Sequence, residues 1–325
     1  MILVIGEALI DLIENRYQPG SFNAVVGGAN ANVALALARR GTKHQFLGRI
    51  SRDSFGQTIR ERLTSNGVHL EYSIDADELT TLAVVKMNSA GIPSYAFYVN
   101  DTADWGWTPE ELPTNADFEN LHATAIQFGC LTMAMQPSSA VVEAWAREHF
   151  EQKSVTISHD INMRPALGFD RATERVRVER LNSISHIIKA SDEDIYWLYD
   201  LADGSSVDGI VADWIGESDR VVLVTRGADG TSIYRRDGVR IDVPTRAINV
   251  VDTVGAGDTF CANLLGQLSD ADALGTDPFD RLANLSNDEL RGMVRVAAVA
   301  ASITCERAGC EPPTRADLDV VLASL

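Results

Sequence analysis

Short apolar runs alternate with helix-forming stretches along most of this 325-residue sequence. An apolar run that ends at a turn residue is typical of a strand covered on both faces. The sequence predicts strands at 1–5, 43–50, 82–87, 95–99, 125–128, 155–161, 186–188, 220–225, 231–234 and 239–242. It predicts helices at 30–40, 53–66, 138–150, 171–182, 193–199, 207–215, 257–268 and 290–305. Strands that alternate with helices in this way predict an α/β fold built on a parallel sheet.

One pair of predicted strands interrupts the alternation. The strands at 82–87 and 95–99 are joined by the segment 88–93, which includes Gly91 and Pro93. Small and turn-forming residues in this position predict a β-hairpin. We expect the hairpin to lie outside the parallel sheet.

Charge and composition exclude several classes of partner. The chain has 28 Lys and Arg against 46 Asp and Glu, a formal net charge of −18, and it contains no basic run. Nucleic acids and anionic membranes both attract a concentrated basic surface, so neither is expected as a partner. The chain shows no apolar stretch of the roughly 18 residues that span a bilayer, and acids appear at Glu7 and Asp11, before a signal-peptide core could form. A cytoplasmic protein is expected, and four cysteines in a chain of this size do not imply a disulfide scaffold.

The segment 251–260, Val-Asp-Thr-Val-Gly-Ala-Gly-Asp-Thr-Phe, places two glycines directly before a predicted helix. Glycines in such a turn allow successive backbone N–H groups to converge on an anion at the positive end of the helix. Asp258 then lies in the first helical turn, where it could accept a proton from a hydroxyl nucleophile while the N–H groups hold a phosphoryl group. On these residues alone, an equal alternative is a tight turn whose aspartate merely caps the helix.

Two long motifs resemble one known family. Residues 252–260 resemble the C-terminal signature of the ribokinase-like, or PfkB, family of carbohydrate and nucleoside kinases, and residues 27–34, 47–50 and 53–56 resemble its N-terminal signature. The likeness extends from about residue 6 to residue 313. It implies a three-layer ribokinase-like fold in which helices flank a central, mostly parallel sheet. It also implies a single kinase domain over 1–325, with a small β lid contributed by about 8–20 and 80–105.

The resemblance assigns catalytic and sugar-binding roles to particular residues. It implies that Asp258 is the catalytic base and contacts the substrate, and that the N–H groups of Gly255, Ala256 and Gly257 form the anion hole. A carboxylate can accept hydrogen bonds from two neighbouring hydroxyl groups, which suits the sugar-binding position that the resemblance gives to Asp11. The same resemblance implies that the substrate is also contacted by Gly28, Asn32 and Arg164. Arg164 could equally meet the transferred phosphate.

The resemblance also implies an ATP site with its cations. ATP would be contacted by Lys189, Thr225, Gly227, Gly230, Gly255 and Gly257, with the stretches 296–302 and 308–309 beside the adenine. Members of the family often bind potassium next to the anion hole, which corresponds here to the backbone of Asp252 and Val254. Magnesium is usually organised through water by an Asn-x-x-Glu segment, but this chain has Ser191 and Asp194 in those positions. Asp194, or the adjacent Glu193, would then have to serve the Mg²⁺.

The acceptor sugar is indicated by the segment 97–105, which resembles that of fructokinases. The related 2-keto-3-deoxygluconate kinases usually carry an arginine there for the substrate carboxylate. This chain has Asn100 near that position and no basic residue from 92 to 113, so a neutral hexose is favoured, with Asn100 and Thr102 as lid contacts. D-fructose is therefore the first expectation.

Several alternatives remain open on the sequence. A 2-keto-3-deoxygluconate kinase would leave Arg164 as the partner of the carboxylate, and ribose or nucleoside kinases come next. From a different class, the chain could be a sugar-binding regulator with little turnover. The sequence shows no P-loop, no dinucleotide-binding Gly-x-Gly-x-x-Gly after the first strand, no zinc-ligand spacing and no Gly-x-Ser-x-Gly. A homodimer that pairs through the lid is expected from the resemblance.

Overall fold

The computed structural model describes residues 1–15, 17, 18, 20–87 and 93–325. Most of the segment predicted to connect the hairpin, residues 88–92, lies outside the described residues, as do positions 16 and 19 of the predicted lid. In chain order the described strands are β1 (Ile2–Ile5), β2 (Leu9–Glu14), β3 (Phe22–Gly27), β4 (His44–Leu47), β5 (Arg49–Ser51), β6 (Ile74–Ala76), β7 (Leu82–Met87), β8 (Pro93–Tyr98), β9 (Ala125–Gly129), β10 (Thr156–Asp160), β11 (Ile187–Ser191), β12 (Val221–Thr225), β13 (Thr231–Tyr234) and β14 (Arg240–Val243).

The helices lie between these strands and at the C-terminal end of the chain. They are α1 (Ala29–Arg40), α2 (Ser54–Ser65), α3 (Asn115–Leu121), α4 (Ser138–Glu151), α5 (Arg171–Ser183), α6 (Asp192–Tyr199), α7 (Asp208–Ile215), α8 (Ala256–Asp270), α9 (Pro278–Ala283), α10 (Asn287–Cys305) and α11 (Arg315–Leu322). Among the described residues, none of the helices is both long and apolar enough to cross a bilayer.

The large sheet has the order β14-β13-β12-β11-β10-β9-β1-β4 within the described chain. Neighbouring strands from β4 to β12 are parallel, with Ile2 facing both His44 and Ala125 in the register. At the other edge of this sheet, the β12–β13 pair and the β13–β14 pair are antiparallel. The predicted α/β fold with a mostly parallel sheet is confirmed.

Helices cover both faces of this sheet, because alternate side chains of each strand point to opposite sides. Ile2 and Val4 pack in a core with residues of α1, α8 and α10, whereas Leu3 and Ile5 pack in a second core with residues of α4 and α5. Side chains of β11 and β12 extend the second face against α6 and α7. The three-layer arrangement predicted from the sequence is therefore confirmed.

A second sheet of the described residues has the order β3-β2-β7-β8 and stands apart from the large one. The β7–β8 hairpin thus lies outside the parallel sheet, as predicted. The segments 79–81 and 102–104, which flank the hairpin and are called its root below, contact each other. Leu79 forms a β-bridge with Thr102, and the hydroxyl groups of Thr81 and Thr102 lie 2.6 Å apart. The buried carboxyl of Asp104 accepts a hydrogen bond of 2.8 Å from the backbone N–H of Ala8, just before β2.

Three details of the element predictions were wrong. The segment 43–50 forms two strands, since β4 pairs with β1 while β5 pairs with β6 in a separate small sheet. Gly48 lies at the break, where a Cβ would come within 2.4 Å of the Phe46 ring. Strands β2, β3 and β6 were not recognised from their pattern. The short helices α3, α9 and α11 were also missed, although α3 and α11 each begin with a Thr-x-x-Asp capping box.

The parallel strands end at one edge of the large sheet, and chemically useful residues follow each of them. Glu7 follows β1, Cys130 follows β9, Arg164 follows β10, Asp194 follows β11 and Gly227 follows β12. Ligands of open α/β sheets bind in the crevice outside the carboxyl ends of the strands. This edge is where a functional site is expected.

Candidate active site

The first turn of α8 presents backbone donors and a carboxyl group together. Gly255 precedes the helix with φ of 75°, and a Cβ at this position would come within 2.2 Å of the Cys310 Sγ, so only glycine fits without displacement. The Ala256 N–H donates to the Thr253 carbonyl at 3.2 Å. In the described part of the chain, the N–H groups of Gly255, Gly257 and Asp258 have no acceptor. Three free donors at the positive end of a helix form a ready site for an anion.

Asp258 is buried beside these donors, with 7% of its surface exposed. Burial raises the pKa of its carboxyl to about 7, the amide of Asn32 and the charges of Arg164 and Lys189 oppose the rise, and the nearby Asp160 adds to it. The Asn32 Nδ2 donates to the Asp258 Oδ2 at 2.8 Å. A carboxyl whose pKa lies near neutral pH is well suited to accept and release a proton.

The second acid at the predicted sugar site, Asp11, lies on β2. Burial raises the pKa of Asp11 to about 6, and the charge of Arg164 opposes this rise. A Cβ on Gly27, in the neighbouring strand, would lie 2.3 Å from the Asp11 Oδ2, so the carboxyl occupies the space that this glycine leaves open. The charge of Arg164 thus acts on the carboxyl groups of both Asp11 and Asp258.

Gly28 lies between β3 and α1 with φ of 106°, and a Cβ there would come within 2.4 Å of the Glu7 carbonyl oxygen. The side chain of Glu7, 1% exposed, holds the surrounding backbone. Its Oε1 accepts from the Ala29 N–H at 3.0 Å, and its Oε2 accepts from Asn30 at 3.2 Å and from the Thr132 hydroxyl at 2.6 Å. Glu7 was not predicted as a site residue. An acid that follows a buried strand closely was the feature of the sequence that could have indicated it.

The predicted lid contacts differ in their surroundings. Asn100 is exposed in a turn, whereas Thr102 is buried and its hydroxyl is shared with Thr81 and the Val99 carbonyl. The structure gives Thr102 a role at the root of the hairpin. Asp104 was also missed; burial raises the pKa of its carboxyl to about 7.

Arg164 follows β10 in the turn that Asn162 enters with φ of 42°. Its Nη1 donates to the Asn162 Oδ1 at 2.5 Å and to the Met163 carbonyl at 2.9 Å. These local bonds fix the guanidinium at the edge of the sheet, within reach of the Asp11 and Asp258 charges. The positive charge of Arg164 therefore acts on both acids.

A cavity of about 620 Å³ lies between the turn after β12 and helices α8 and α10. Four residues predicted to contact ATP line it, namely Thr225, Gly227, Gly230 and Gly257. The cavity is also lined by three residues within the stretch predicted beside the adenine, namely Ala298, Ala301 and Ser302. The sequence analysis missed further lining residues, including Arg246, Ile248, Val250 and Cys305. Gly309 belongs to the loop at 308–309 that was also predicted beside the adenine, and its N–H donates to the Asp252 carboxyl at 2.8 Å.

Lys189, predicted as a phosphate contact, forms a buried ion pair. Its Nζ lies 2.8 and 2.9 Å from the two carboxyl oxygens of Asp160, and both side chains are at most 7% exposed. Burial alone would lower the pKa of Lys189, but the Asp160 carboxylate outweighs it and the pKa is raised. A Cβ on Gly257 would lie 3.3 Å from this Nζ, so the ammonium group adjoins the first turn of α8.

The predicted magnesium residues lie in other surroundings. Asp194 completes a capping box with Ser191: its Oδ2 accepts from the Ser191 N–H and its Oδ1 from the Met163 N–H, each at 2.8 Å. Glu193 is exposed and borders a separate polar cavity of about 760 Å³, together with Arg226. Within the described residues, no cluster of three or more His, Cys, Asp or Glu side chains could hold a metal ion. The side chains present do not fit a magnesium ion held by the protein alone.

The predicted potassium position has a better fit. The Asp252 side chain accepts from the Val254 N–H at 3.1 Å and from the Gly309 N–H, which fixes the loop before α8. In the described part of the chain, the carbonyl oxygens of Asp252 and Val254 accept no backbone hydrogen bond. Unbonded carbonyl oxygens are suitable ligands for a hard cation.

Comparison with known proteins gives a consistent result. The family model described as "pfkB family carbohydrate kinase" matches residues 1–317. Over 270 residues the chain is 35% identical to a fructokinase from Rhizobium leguminosarum bv. trifolii, covering 82% of this chain and 79% of that protein. It is 33% identical over 269 residues to a fructokinase from Klebsiella pneumoniae, covering 82% and 84%. The crystal structure of a fructokinase from Xylella fastidiosa with bound ATP matches with a TM-score of 0.87 and 26% identity, covering 99% and 98%.

Proposed function

Since the chain belongs to the pfkB family of carbohydrate kinases and is thus a phosphotransferase with a hydroxyl acceptor, we propose that it is an ATP-dependent fructokinase. The arrangement at α8 carries the proposal: a carboxyl with a pKa near 7 adjoins three free backbone donors, and Ala256 and Gly257 of the same helical turn line the 620 Å³ cavity. A base next to an anion site is what phosphoryl transfer to an alcohol requires.

In the proposed reaction, ATP occupies the 620 Å³ cavity with its phosphates towards Gly227, Gly230 and Gly257. The Asp258 carboxylate accepts the proton of a sugar hydroxyl as that oxygen forms a bond to the γ-phosphorus. The bond from the γ-phosphorus to the bridging oxygen breaks, and ADP leaves with the electron pair. The N–H groups of Gly255, Gly257 and Asp258 stabilise the charge on the transferred group, and the Lys189 ammonium, which is paired with Asp160, lies beside Gly257.

The cations are part of the proposal to different degrees. A potassium ion at the Asp252 and Val254 carbonyl groups would supply positive charge next to the anion hole. For magnesium, both carboxyl oxygens of Asp194 accept backbone hydrogen bonds, so we expect Mg²⁺ to arrive with the phosphates of ATP, and none of the steps above depends on it.

Preference for a neutral sugar is supported by the charges around the hairpin root. Arg49 contacts this segment; its Nε donates to the Ala103 carbonyl at 3.0 Å, and its other nitrogens bind Glu78 and Glu111. Arg49 is therefore neutralised by two carboxylates. A substrate carboxylate would have to be met by Arg164, which is the observation that favours a 2-keto-3-deoxygluconate kinase as the second candidate.

The test is ADP formation by the purified protein with Mg²⁺ and K⁺, comparing D-fructose, 2-keto-3-deoxygluconate, ribose and adenosine. We expect the highest kcat/KM with fructose. A preference for 2-keto-3-deoxygluconate would indicate that Arg164 binds the substrate carboxylate. Failure with every acceptor, combined with sugar binding in calorimetry, would favour the sugar-binding regulator.

We also propose that the chain forms a homodimer through the second sheet. Asp11 and Val25 face each other in the register of β2 and β3, and Ile13 lies on the same side; Ile13 and Val25 are each more than a third exposed. Exposed apolar side chains on a sheet with two open edges suit pairing with a second copy. Light scattering during size-exclusion chromatography should give twice the mass of 35.3 kDa, and a monomeric mass would remove the proposal.

The cytoplasmic location stays a prediction.

A further inference from the structure

The candidate base is held by a hydrogen bond from a distant helix. Asn32 lies in the first turns of α1 and Asp258 in the first turn of α8, two helices that pack against each other. The Asn32 Nδ2 donates to the Asp258 Oδ2 at 2.8 Å, and each side chain is less than a tenth exposed. A buried bond of this length, between a neutral amide and an ionisable group, restricts the rotation of the carboxyl.

The bond leaves the two oxygens of the carboxyl unequal. Oδ2 is occupied by Asn32, whereas Oδ1 accepts no hydrogen bond from the described residues. Oδ1 is also not among the fully enclosed polar atoms that lack a partner, so it remains accessible to a ligand. The base therefore presents one defined oxygen to an incoming hydroxyl.

The charged and titratable neighbours of Asp258 do not replace this bond. Lys189 is bound by Asp160 through both carboxyl oxygens, and Arg164 is bonded to its own turn through Nη1. The groups whose charges act on Asp258 are the side chains of Asp160, Arg164 and Lys189, and Asp258 in turn acts on the thiols of Cys130, Cys261 and Cys310. In the described part of the chain, Asn32 is the one hydrogen-bond donor to this carboxyl.

A neutral donor has a particular chemical advantage here. A lysine or arginine bonded directly to the carboxylate would lower its pKa by about 1–3 units and weaken it as a base. An apolar side chain would leave a buried carboxyl without a partner, which favours the protonated form that cannot accept a proton. An amide stabilises the ionised form moderately and keeps the pKa close to neutral pH.

We propose that Asn32 is a positioning residue for the base: it fixes the Asp258 carboxyl through Oδ2 and directs Oδ1 at the substrate hydroxyl. This inference rests on the proposed kinase function and deepens it. It also changes the role expected from the sequence, which placed Asn32 in the sugar cradle. With one N–H of Nδ2 engaged by Asp258, Asn32 keeps its second N–H as a donor and its Oδ1 as an acceptor for a sugar.

The experiment compares the pH dependence of kcat/KM between the wild type and Asn32→Leu, which has a similar volume and no donor. The base must be ionised, so activity is lost as the pH falls through the pKa of Asp258. Removing the donor raises that pKa, and the acidic limb should move upward by about one to two pH units. At pH 7 we expect kcat to fall roughly tenfold, with recovery as the pH approaches 9. Asn32→Ala serves if the leucine variant does not fold.

Asn30→Ala is the matched control. Asn30 is a buried asparagine in the same helix turn, but its amide binds Glu7 and the Gly129 carbonyl. Its loss should leave the acidic limb of the profile in place, whatever it does to stability or to the KM for sugar. If Asn32→Leu raises the KM for sugar at every pH and the limb does not move, Asn32 is a sugar ligand alone and the proposal is overturned.

A second readout separates this inference from the proposed function. The Asp258 carboxyl can be titrated by ¹³C NMR in samples labelled at aspartate, with its signal assigned by comparison with Asp258→Asn. An upward shift of its pKa in Asn32→Leu would support the positioning role even if fructose were not the substrate. An unchanged pKa in that variant would overturn the role even in an active fructokinase.

Discussion

The buried pair of Asp160 and Lys189 allows a stability prediction with a magnitude. At 2.8 Å and an effective dielectric constant of about 20, the Coulomb attraction is about 6 kcal/mol. Much of it is offset by the cost of burying both charges, but a variant that removes one partner leaves the other charge buried and unpaired. Lys189→Met and Asp160→Asn should therefore each lower the free energy of unfolding by about 3–5 kcal/mol.

The double variant has no charge left to bury, so its cost should be at least about 2 kcal/mol less than the sum of the single costs. Urea denaturation followed by circular dichroism measures these values. For 325 residues the unfolding entropy is about 0.7 kcal/mol/K, so each single variant should also melt about 4–7 °C lower. Arg291→Met is the control, because Arg291 pairs with Asp288 at 2.5 Å on the surface and should cost less than about 1 kcal/mol.

Two results would refute the reasoning. Single variants that cost under about 1 kcal/mol would mean that the pair is not formed or not buried in solution. A double variant that costs the full sum would mean that the two charges act independently. Kinase activity provides a second measurement, because Lys189→Met should lose activity even under conditions in which the variant remains folded.

Four further predictions concern the site. Asp258→Asn should lower kcat by about 10²–10⁴ and leave fructose binding in calorimetry intact; unchanged turnover would remove the assigned base. Asp11→Ala should weaken fructose binding far more than ATP binding, and equal losses in the two titrations would contradict the assignment. Gly255→Ala adds a Cβ against Cys310 at φ of 75°, so ATP affinity should fall and stability should drop by about 1–3 kcal/mol; a wild-type dissociation constant would argue against the anion hole. Asp194→Ala should lower the free energy of unfolding by about 1–2 kcal/mol without changing the half-saturating Mg²⁺ concentration, whereas a marked rise in that concentration would restore a metal role.

Local patterns were sufficient for the general fold and for the start of α8. Apolar runs of strand length identified the parallel strands, and the glycines before Asp258 identified the turn at the anion site. The prediction of one strand at 43–50 was wrong, because the break at Gly48 depends on which strands pair, and that is decided by contacts far along the chain.

The partners of the polar side chains could not be read from sequence either. The bond of Asn32 to Asp258 spans 226 positions, and that of Asp104 to Ala8 spans 96. Lys189 was expected to face phosphate, and its pairing with Asp160 depends on the register of two neighbouring strands. Asp194 was expected to serve a metal, although the Ser-x-x-Asp spacing that begins α6 is also that of a capping box.

The separation between Asn32 and Asp258 also matters during synthesis of the chain. At about 5–20 residues per second, the ribosome adds Asp258, the proposed base, roughly 10–45 s after Asn32, the residue proposed to orient it. Strands β1 to β3 and helix α1, which carry Asp11 and Gly28, are all complete before residue 41. The nascent chain thus has the residues proposed to bind the sugar early and gains the proposed base only when about four fifths of it exists. A nascent chain shorter than 258 residues lacks the group proposed to activate the sugar hydroxyl.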